Sequence, residues 1–126
     1  MAATILIVDD AAFMRAMLKR ILEDAGFEIV GEAVNGREAV QLYEELNPDL
    51  VTMDMVMPEM GGMEALQAIR GRDHKAKVVI VSAVDQRENL LEAIRSGATE
   101  YIVKPFDESR VMKAVRRALG QSPATA

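Results

Sequence analysis

The chain has 126 residues, and 50% of them are hydrophobic, which is enough for the buried core of one domain. Its formal net charge of −5 argues against general affinity for nucleic acid or for an anionic membrane surface. No cysteine is present, so disulfide bonds and thiolate metal sites are excluded. The apolar runs are too short to cross a bilayer and no export signal is apparent, so we expect a cytoplasmic monomer.

Short β-branched or aliphatic runs alternate with segments whose hydrophobic residues recur at helical spacing. The runs predict five strands, at residues 4–8, 27–34, 50–53, 78–81 and 101–103. The intervening segments predict five helices, at residues 13–22, 39–46, 62–70, 86–96 and 107–119. Gly31 and Glu32 interrupt the second run, which therefore predicts a strand near an edge of the sheet.

Two local features refine these helices. The apolar stripe of the fourth consists of Leu90, Leu91 and Ile94, and Asp107 is the predicted N-cap of the fifth. Residues 121–126 predict a disordered tail after a single domain at 1–120.

Five strands that alternate with five helices predict an α/β fold with right-handed crossovers and a parallel sheet covered on both faces. Such doubly wound sheets bind ligands beyond the carboxyl ends of their strands, where the strand order reverses. Polar residues lie at or just past those ends in four of the predicted strands. They are Asp9, Asp10, Asp54, Ser82 and Lys104. We expect them to converge on one pocket.

The residue types in this pocket point to a cation and to phosphoryl transfer. Three adjacent carboxylates repel one another unless a cation joins them. With no histidine or cysteine among them, the ligands are hard oxygens, which suit Mg²⁺ or Mn²⁺. An aspartate can also act as a nucleophile and form an aspartyl phosphate. Lys104 and Ser82 could then contact the phosphoryl oxygens.

Each of these residues also has a simpler interpretation. Asp9 and Asp10 could cap the first helix, Ser82 could be an ordinary strand-end hydroxyl, and Lys104 could be a solvated charge. Their coincidence at one edge of the sheet favours a site. The basic last helix could be a solvated surface or could bind an acidic partner segment. Its basic residues are Arg110, Lys113, Arg116 and Arg117.

Four short motifs resemble those of the response-regulator receiver domain, and the resemblance extends from about residue 4 to residue 119. The motifs are Ile7-Val8-Asp9-Asp10, Asp54 with Met57-Pro58 after it, Ser82-Ala83 and Lys104-Pro105-Phe106. Within that family the chain is most similar to the stand-alone chemotaxis regulators. The resemblance implies a flavodoxin-like fold with strand order 2-1-3-4-5 and a phosphorylation-activated switch of a two-component system.

The resemblance also implies a role for each residue of the pocket. Asp54 would be the phosphoacceptor, Asp10 a direct Mg²⁺ ligand and Asp9 a ligand through water. The backbone carbonyl of Val56 would face the metal, and Mn²⁺ could substitute for Mg²⁺.

Three further residues would take part in the response to phosphorylation. Lys104 would bind the phosphoryl group, and a cis peptide bond to Pro105 would orient it. Ser82 would move toward the phosphoryl group and Tyr101 would change rotamer, which alters the face formed by residues 86–119.

The resemblance implies three partners: a histidine kinase of the CheA type, a flagellar switch protein of the FliM type or another output protein, and a separate phosphatase. No turnover of a separate substrate is expected. A receiver module of another phosphorelay, or of a DNA-binding transcriptional regulator, would share all of this chemistry.

Two other protein classes fit less well. A haloacid-dehalogenase-type phosphatase needs a second Asp two residues after its nucleophile, and Val56 occupies that position. A flavodoxin needs a Ser/Thr/Gly-rich phosphate loop, which residues 11–13 do not provide. The chain also departs from the chemotaxis regulator of enteric bacteria, because valines replace its polar residues at Val56 and Val84. Valine cannot orient a water molecule, so we expect slow loss of the phosphoryl group.

Overall fold

The computed structural model describes residues 2–83 and 87–121, in which five strands alternate with five helices, as the sequence predicts. The elements are β1 (Thr4–Val8), α1 (Ala12–Asp24), β2 (Glu28–Ala33), α2 (Gly36–Leu46), β3 (Leu50–Asp54), α3 (Gly62–Arg72), β4 (Val78–Ala83), α4 (Arg87–Arg95), β5 (Glu100–Lys104) and α5 (Glu108–Ala118).

The five strands form one parallel sheet with the order β2-β1-β3-β4-β5. This confirms the expected flavodoxin-like topology, with β2 at one edge and β5 at the other. The chain leaves β1 in one direction toward β2 and then returns past β1 to β3. The carboxyl ends of β1 and β3 therefore border the crevice at which the strand order reverses.

Hydrophobic clusters cover both faces of this sheet. On one face Val51 and Met53 of β3 pack with residues of α2, α3 and α4. On the other face Leu50 of β3 packs with Ile5 and Ile7 of β1 and with residues of α1 and α5. Every residue of β3 is buried, which explains its nearly continuous apolar sequence. The two layers of helices hold the central strands rigidly and so fix their ends.

The structure differs from the predicted elements in some details. β3 continues to Asp54, β4 continues through Ser82 to Ala83, and β5 continues to Lys104. Three of the five polar residues predicted at strand ends therefore lie within strands. In α4 the buried residue is Ala93, whereas Leu91 and Ile94 are exposed. The prediction that Leu91 and Ile94 form a core-facing stripe with Leu90 is therefore wrong, because the face of α4 that packs on the core contains Ala93 and Leu90 instead.

Other local predictions are confirmed. The Asp107 side chain accepts a hydrogen bond from the Arg110 backbone N–H, which caps α5. The peptide bond between Lys104 and Pro105 is cis. Val84, Gln86 and residues 122–126 of the tail predicted at 121–126 lie outside the described residues. Within residues 2–83 and 87–121, no helix is long and apolar enough to cross a membrane.

Candidate functional site

Three carboxylates meet at the carboxyl edge of the central strands. Asp9 and Asp10 follow the last residue of β1, and Asp54 is the last residue of β3. The parallel pairing of β1 with β3 brings these two strand ends side by side. One oxygen from each carboxylate lies within 4.8 Å of the others. The convergence predicted from the sequence is therefore present in the structure.

Lys104 reaches this cluster from the end of β5. Its Nζ atom lies 3.3 Å from Oδ1 of Asp54 and 3.6 Å from Oδ2 of Asp9. Only 26% of the lysine side chain is exposed, so its charge is partly withdrawn from solvent. One ammonium group faces three carboxylates, and the cluster keeps an excess of negative charge.

Asp54 is buried, and its electrostatic environment is unfavourable for an anion. Burial raises the pKa of its carboxyl above the ordinary value, and the negative charge of Asp9 raises it further. The Lys104 ammonium lowers this pKa through its charge and its hydrogen bond, whereas the charge of Asp10 has a smaller raising effect. Desolvation is the largest of these effects, so the fold holds this carboxyl at a cost in free energy.

Asp9 is also buried, and its two oxygens have different surroundings. Oδ1 accepts a hydrogen bond of 2.9 Å from the Ala11 N–H, whereas Oδ2 is buried and receives no hydrogen bond from any residue that the structure describes. The N-cap of α1 is Ala11, without a side-chain hydrogen bond, so Asp9 and Asp10 do not cap that helix. The simpler interpretation of these two aspartates is therefore wrong.

The three carboxylates fit a small divalent cation. In an octahedral Mg²⁺ site with bonds of about 2.1 Å, adjacent ligand oxygens are about 3 Å apart and opposite ones about 4.2 Å apart. The three carboxylate oxygens lie within 4.8 Å of one another, so small movements of the side chains would bring them to these separations. The Oδ2 atom of Asp9, which lacks a hydrogen-bond donor in the described part of the chain, could gain a partner from a cation or its water.

The remaining predicted site residues border this cluster or lie on the next strands. Ser82 is fully buried near the end of β4, and its hydroxyl donates to the Ala83 carbonyl at 3.2 Å. Val56, in the loop after Asp54, is 58% exposed. Tyr101 on β5 is also exposed. Val84 lies in the part of the chain that the structure does not describe.

Sequence reasoning missed one side chain that supports the aspartates directly. Arg15 on α1 donates from Nη1 to the Asp9 backbone carbonyl at 2.8 Å and from Nε to Glu32 Oε1 at 2.9 Å. The sequence places Arg15 on the polar side of α1, which is typical of a solvated residue. Its position one turn into the helix after two aspartates is the only signal in the sequence for its role.

A second missed contact links two loops beside the site. The Asn35 side chain donates from Nδ2 to Glu59 Oε2 at 2.8 Å. In the sequence, the pair Asn35-Gly36 is typical of a turn, and nothing indicates that Glu59 lies next to it. The contact joins residues 24 positions apart, so local sequence patterns could not have revealed it.

A sequence model of the response regulator receiver domain matches residues 5–116. The chain belongs to this family. This receiver domain is a phosphorylation-activated signalling switch of a two-component system. The family assignment confirms the resemblance seen in the motifs around Asp9, Asp54 and Lys104.

Relatives and solved structures agree with this assignment. The chain is 54% identical to the chemotaxis protein CheY of Thermotoga maritima over 117 aligned residues. This alignment covers 93% of this chain and 98% of the relative. The response regulator domain of Thermotoga maritima CheB has a TM-score of 0.88 at 34% identity, covering 98% of this chain and all of that one. The CheX-CheY-BeF3-Mg²⁺ complex of Borrelia burgdorferi has a TM-score of 0.86 at 36% identity, covering 90% of this chain and 87% of that one.

The raised pKa of Asp54 predicts a specific pH dependence of stability in the metal-free receiver domain. Asp54→Asn should raise the Tm at pH 7 by at least about 2 °C, because the amide carries no buried charge. A carboxyl whose pKa is higher in the folded than in the unfolded protein adds to the free energy of unfolding most fully below its unfolded pKa of about 3.9. This added stability is lost as the pH rises through the folded pKa. The gain from Asp54→Asn should therefore disappear at about pH 3.5. Calorimetry in the presence of a chelator at both pH values tests this.

The exposed Asp10 provides the matched control for this prediction. Asp10→Asn removes charge repulsion but does not remove a buried charge. It should therefore raise the Tm at pH 7 by less than Asp54→Asn does. An equal gain from both substitutions, or a gain from Asp54→Asn that persists at pH 3.5, would contradict burial as the main cause.

Proposed function

We propose that this receiver domain accepts a phosphoryl group on Asp54 at a Mg²⁺ site and then binds an output protein in bacterial chemotaxis. The observation that carries the proposal is the convergence of the Asp54 carboxylate with the other two carboxylates and with the Lys104 ammonium. Asp9, Asp10, Asp54 and the Val56 carbonyl would hold the cation. Mn²⁺ offers the same preference for oxygen ligands and could replace Mg²⁺.

The residues of the site divide the chemistry among them. An Asp54 carboxylate oxygen forms the new bond to phosphorus, and the bond from phosphorus to the phosphohistidine nitrogen of the kinase breaks. A bound Mg²⁺ would neutralise charge on the phosphoryl oxygens. Lys104 is already 3.3 Å from Asp54, so its ammonium can move from the carboxylate to a phosphoryl oxygen with little displacement.

Phosphorylation would then change the balance of contacts at the end of β4 and β5. The Ser82 hydroxyl, which now donates to the Ala83 carbonyl, would turn toward the phosphoryl group. Tyr101, one strand away, would move into the space that Ser82 leaves. The two states would bind the phosphoryl group unequally, which is what a ligand-driven switch requires.

The surface beyond Tyr101 supports an acidic partner. A cavity of about 500 Å³ lies between β5 and α5, and Arg110, Lys113 and Arg117 line it together with Tyr101. The Nη1 atom of Arg117 lies 3.7 Å from Oε1 of Glu100, which partly offsets its charge. The other basic groups of α5 still outnumber its acidic ones. An acidic segment of a flagellar switch protein of the FliM type would complement this surface.

The relatives support the remaining partners. The similarity to CheY of Thermotoga maritima supports a kinase of the CheA type as the phosphodonor. The Borrelia complex contains CheX together with CheY, which supports a further binding partner such as the separate phosphatase. We propose that the receiver domain turns over no separate substrate. A cytoplasmic location, a monomeric state and a domain boundary near residue 120 stay predictions.

A receiver module with a different output is the second candidate. The similarity to the receiver domain of CheB, at 34% identity over nearly the whole chain, supports it. Both candidates share the Asp54 chemistry and differ only in what the face formed by residues 86–119 binds. Binding of a FliM-type peptide by the phosphorylated receiver domain distinguishes them, because only the first candidate predicts it.

The proposed chemistry predicts one new phosphoryl group on Asp54. Acetyl phosphate with Mg²⁺ should add a single base-labile group of about 80 Da to the wild-type chain, since a carboxylate can attack a small phosphodonor directly. Chelation of Mg²⁺ should reduce the yield at least about 10-fold, because the site would lose the cation that neutralises the phosphoryl charge. Intact-mass spectrometry measures both effects.

Two variants make this experiment decisive. Asp54→Ala should remain unphosphorylated. Asp49→Ala changes an aspartate that immediately precedes β3, at the end of the strand away from the site, and should be modified like the wild type. Phosphorylation of Asp54→Ala at wild-type stoichiometry would refute the assignment of the phosphoacceptor.

The exposed Val56 predicts a slow loss of the phosphoryl group. Hydrolysis needs a water molecule in line with the bond between phosphorus and the Asp54 oxygen, and valine can neither donate to it nor accept from it. Val56→Asn, and the pair Val56→Asn/Val84→Glu, should speed the loss by about 3- to 10-fold through positioning of that water. Decay of the purified phosphoprotein, followed by mass spectrometry, gives the rates.

Leu46→Asn serves as the control, because Leu46 is an exposed apolar residue at the far end of α2. Its phosphoryl lifetime should equal that of the wild type. If both Val56 variants decay no faster than the control, the valine does not limit hydrolysis.

A further inference from the structure

The turn between β2 and α2 binds the loop that follows the phosphoacceptor strand. Asn35 in this turn is only 7% exposed. Its Oδ1 atom accepts a hydrogen bond of 2.9 Å from the Glu38 N–H and thereby caps α2, while its Nδ2 atom donates to Glu59 at 2.8 Å. The chemistry determines the orientation of the amide, because the N–H needs an acceptor and the Glu59 carboxylate needs a donor.

A backbone contact next to this bond joins the same two segments. The Gly36 N–H donates to the Met60 carbonyl oxygen at 2.7 Å. A Cβ atom on Gly36 would lie 2.6 Å from that oxygen, so this approach requires glycine. We call these four residues, Asn35, Gly36, Glu59 and Met60, the turn–loop clamp.

The clamp holds a strained residue. Glu59 has a φ of 67°, in the left-handed region that is unfavourable for a residue other than glycine. Such a conformation persists where surrounding contacts fix it. Asn35 and Gly36 supply those contacts on both sides of the Glu59–Met60 peptide.

The opposite end of the loop is anchored to the sheet and to α3. The Met55 N–H donates to the Val81 carbonyl at 3.2 Å, and the Gly62 N–H donates to the Met55 carbonyl at 3.0 Å. Between these anchors and the clamp lies Val56, whose side chain is exposed. The backbone of Val56 is therefore held from two directions, by β4 and α3 on one side and by the β2–α2 turn on the other.

We propose that Asn35 is a positioning residue for the Mg²⁺ site, because it fixes through Glu59 the loop that presents the Val56 carbonyl. This inference rests on the proposed function, in which that carbonyl is a metal ligand. A ligand held in place before the cation arrives loses less conformational entropy on binding, so the clamp raises Mg²⁺ affinity. Asn35 touches neither the cation nor the phosphoryl group and acts only through the loop.

Exchanging the charged and the neutral side chain between positions 35 and 59 tests the proposal. Asn35→Asp keeps an oxygen that caps α2 but opposes two carboxylates, so it should weaken Mg²⁺ binding by about 3- to 10-fold. Adding Glu59→Gln to the same chain restores one donor and one acceptor with reversed polarity. The double variant has the net charge of the wild type, and its affinity should return to within about 2-fold. Isothermal titration with MgCl₂ measures the dissociation constants.

Arg37→Ala is the matched control. Arg37 lies 3.8 Å from the other oxygen of Glu59, but both side chains are largely exposed, and this pair is outside the clamp. Its removal should leave Mg²⁺ affinity within about 2-fold of the wild type. A loss as large as that of Asn35→Asp would show that any change of charge near Glu59 suffices, which would overturn the role of Asn35.

Hydrogen exchange in the metal-free protein separates this inference from the proposed function. The Gly36 amide should exchange at least about 10-fold faster in Asn35→Asp than in the wild type and should recover in the double variant. Wild-type Mg²⁺ affinity in Asn35→Asp would overturn the inference and leave the phosphorylation of Asp54 intact. An absence of Mg²⁺ binding by the wild type would overturn both.

Discussion

Repulsion among three carboxylates at one edge of the sheet is the constraint on which the rest of this structure depends. Asp9 and Asp54 are buried, and Lys104 supplies the one ammonium group that contacts both of them among the described residues. This arrangement is unfavourable for the folded protein without a cation, and it favours whatever neutralises the cluster. The same repulsion that destabilises the metal-free fold thus favours the binding of a cation. In the function that we propose, this cation and the Lys104 ammonium together offset the negative charge of the phosphoryl group.

The surrounding structure holds the carboxylates together against this repulsion. The strands that end at the site are buried on both faces, so the positions of Asp9 and Asp54 are fixed by packing of β1 and β3. Arg15 holds the Asp9 backbone from α1, and Asn35 holds the loop after Asp54 from the β2–α2 turn. We expect a rigid site of this kind to respond to a change of charge by a discrete rearrangement, and we propose that the buried Ser82 and the exposed Tyr101 transmit it.

The sequence contains enough information to predict the fold and the members of the site, but not the contacts that support it. Alternation of strand and helix patterns leads to a parallel sheet, and the polar residues at strand ends lead to Asp9, Asp54 and Lys104. Arg15 and Asn35 resemble a solvated helix residue and a turn residue, since their partners are distant along the chain. The exposure of Leu91 was missed for a related reason: helical periodicity defines a stripe, but the approach of the neighbouring strand decides which part of it is buried.

Thermal melts of the wild type and of Asp54→Asn, each with chelator and with Mg²⁺ at pH 7, test the central claim most directly. At 10 times its dissociation constant, Mg²⁺ should stabilise the wild type by about 1.4 kcal/mol, or roughly 5 °C in Tm. Asp54→Asn should be the more stable protein in chelator and should gain less from Mg²⁺, because one of the repelling ligands is neutral. Equal gains from Mg²⁺ in both proteins, or no gain in the wild type, would contradict the account of the site as a repulsive cluster that a cation relieves.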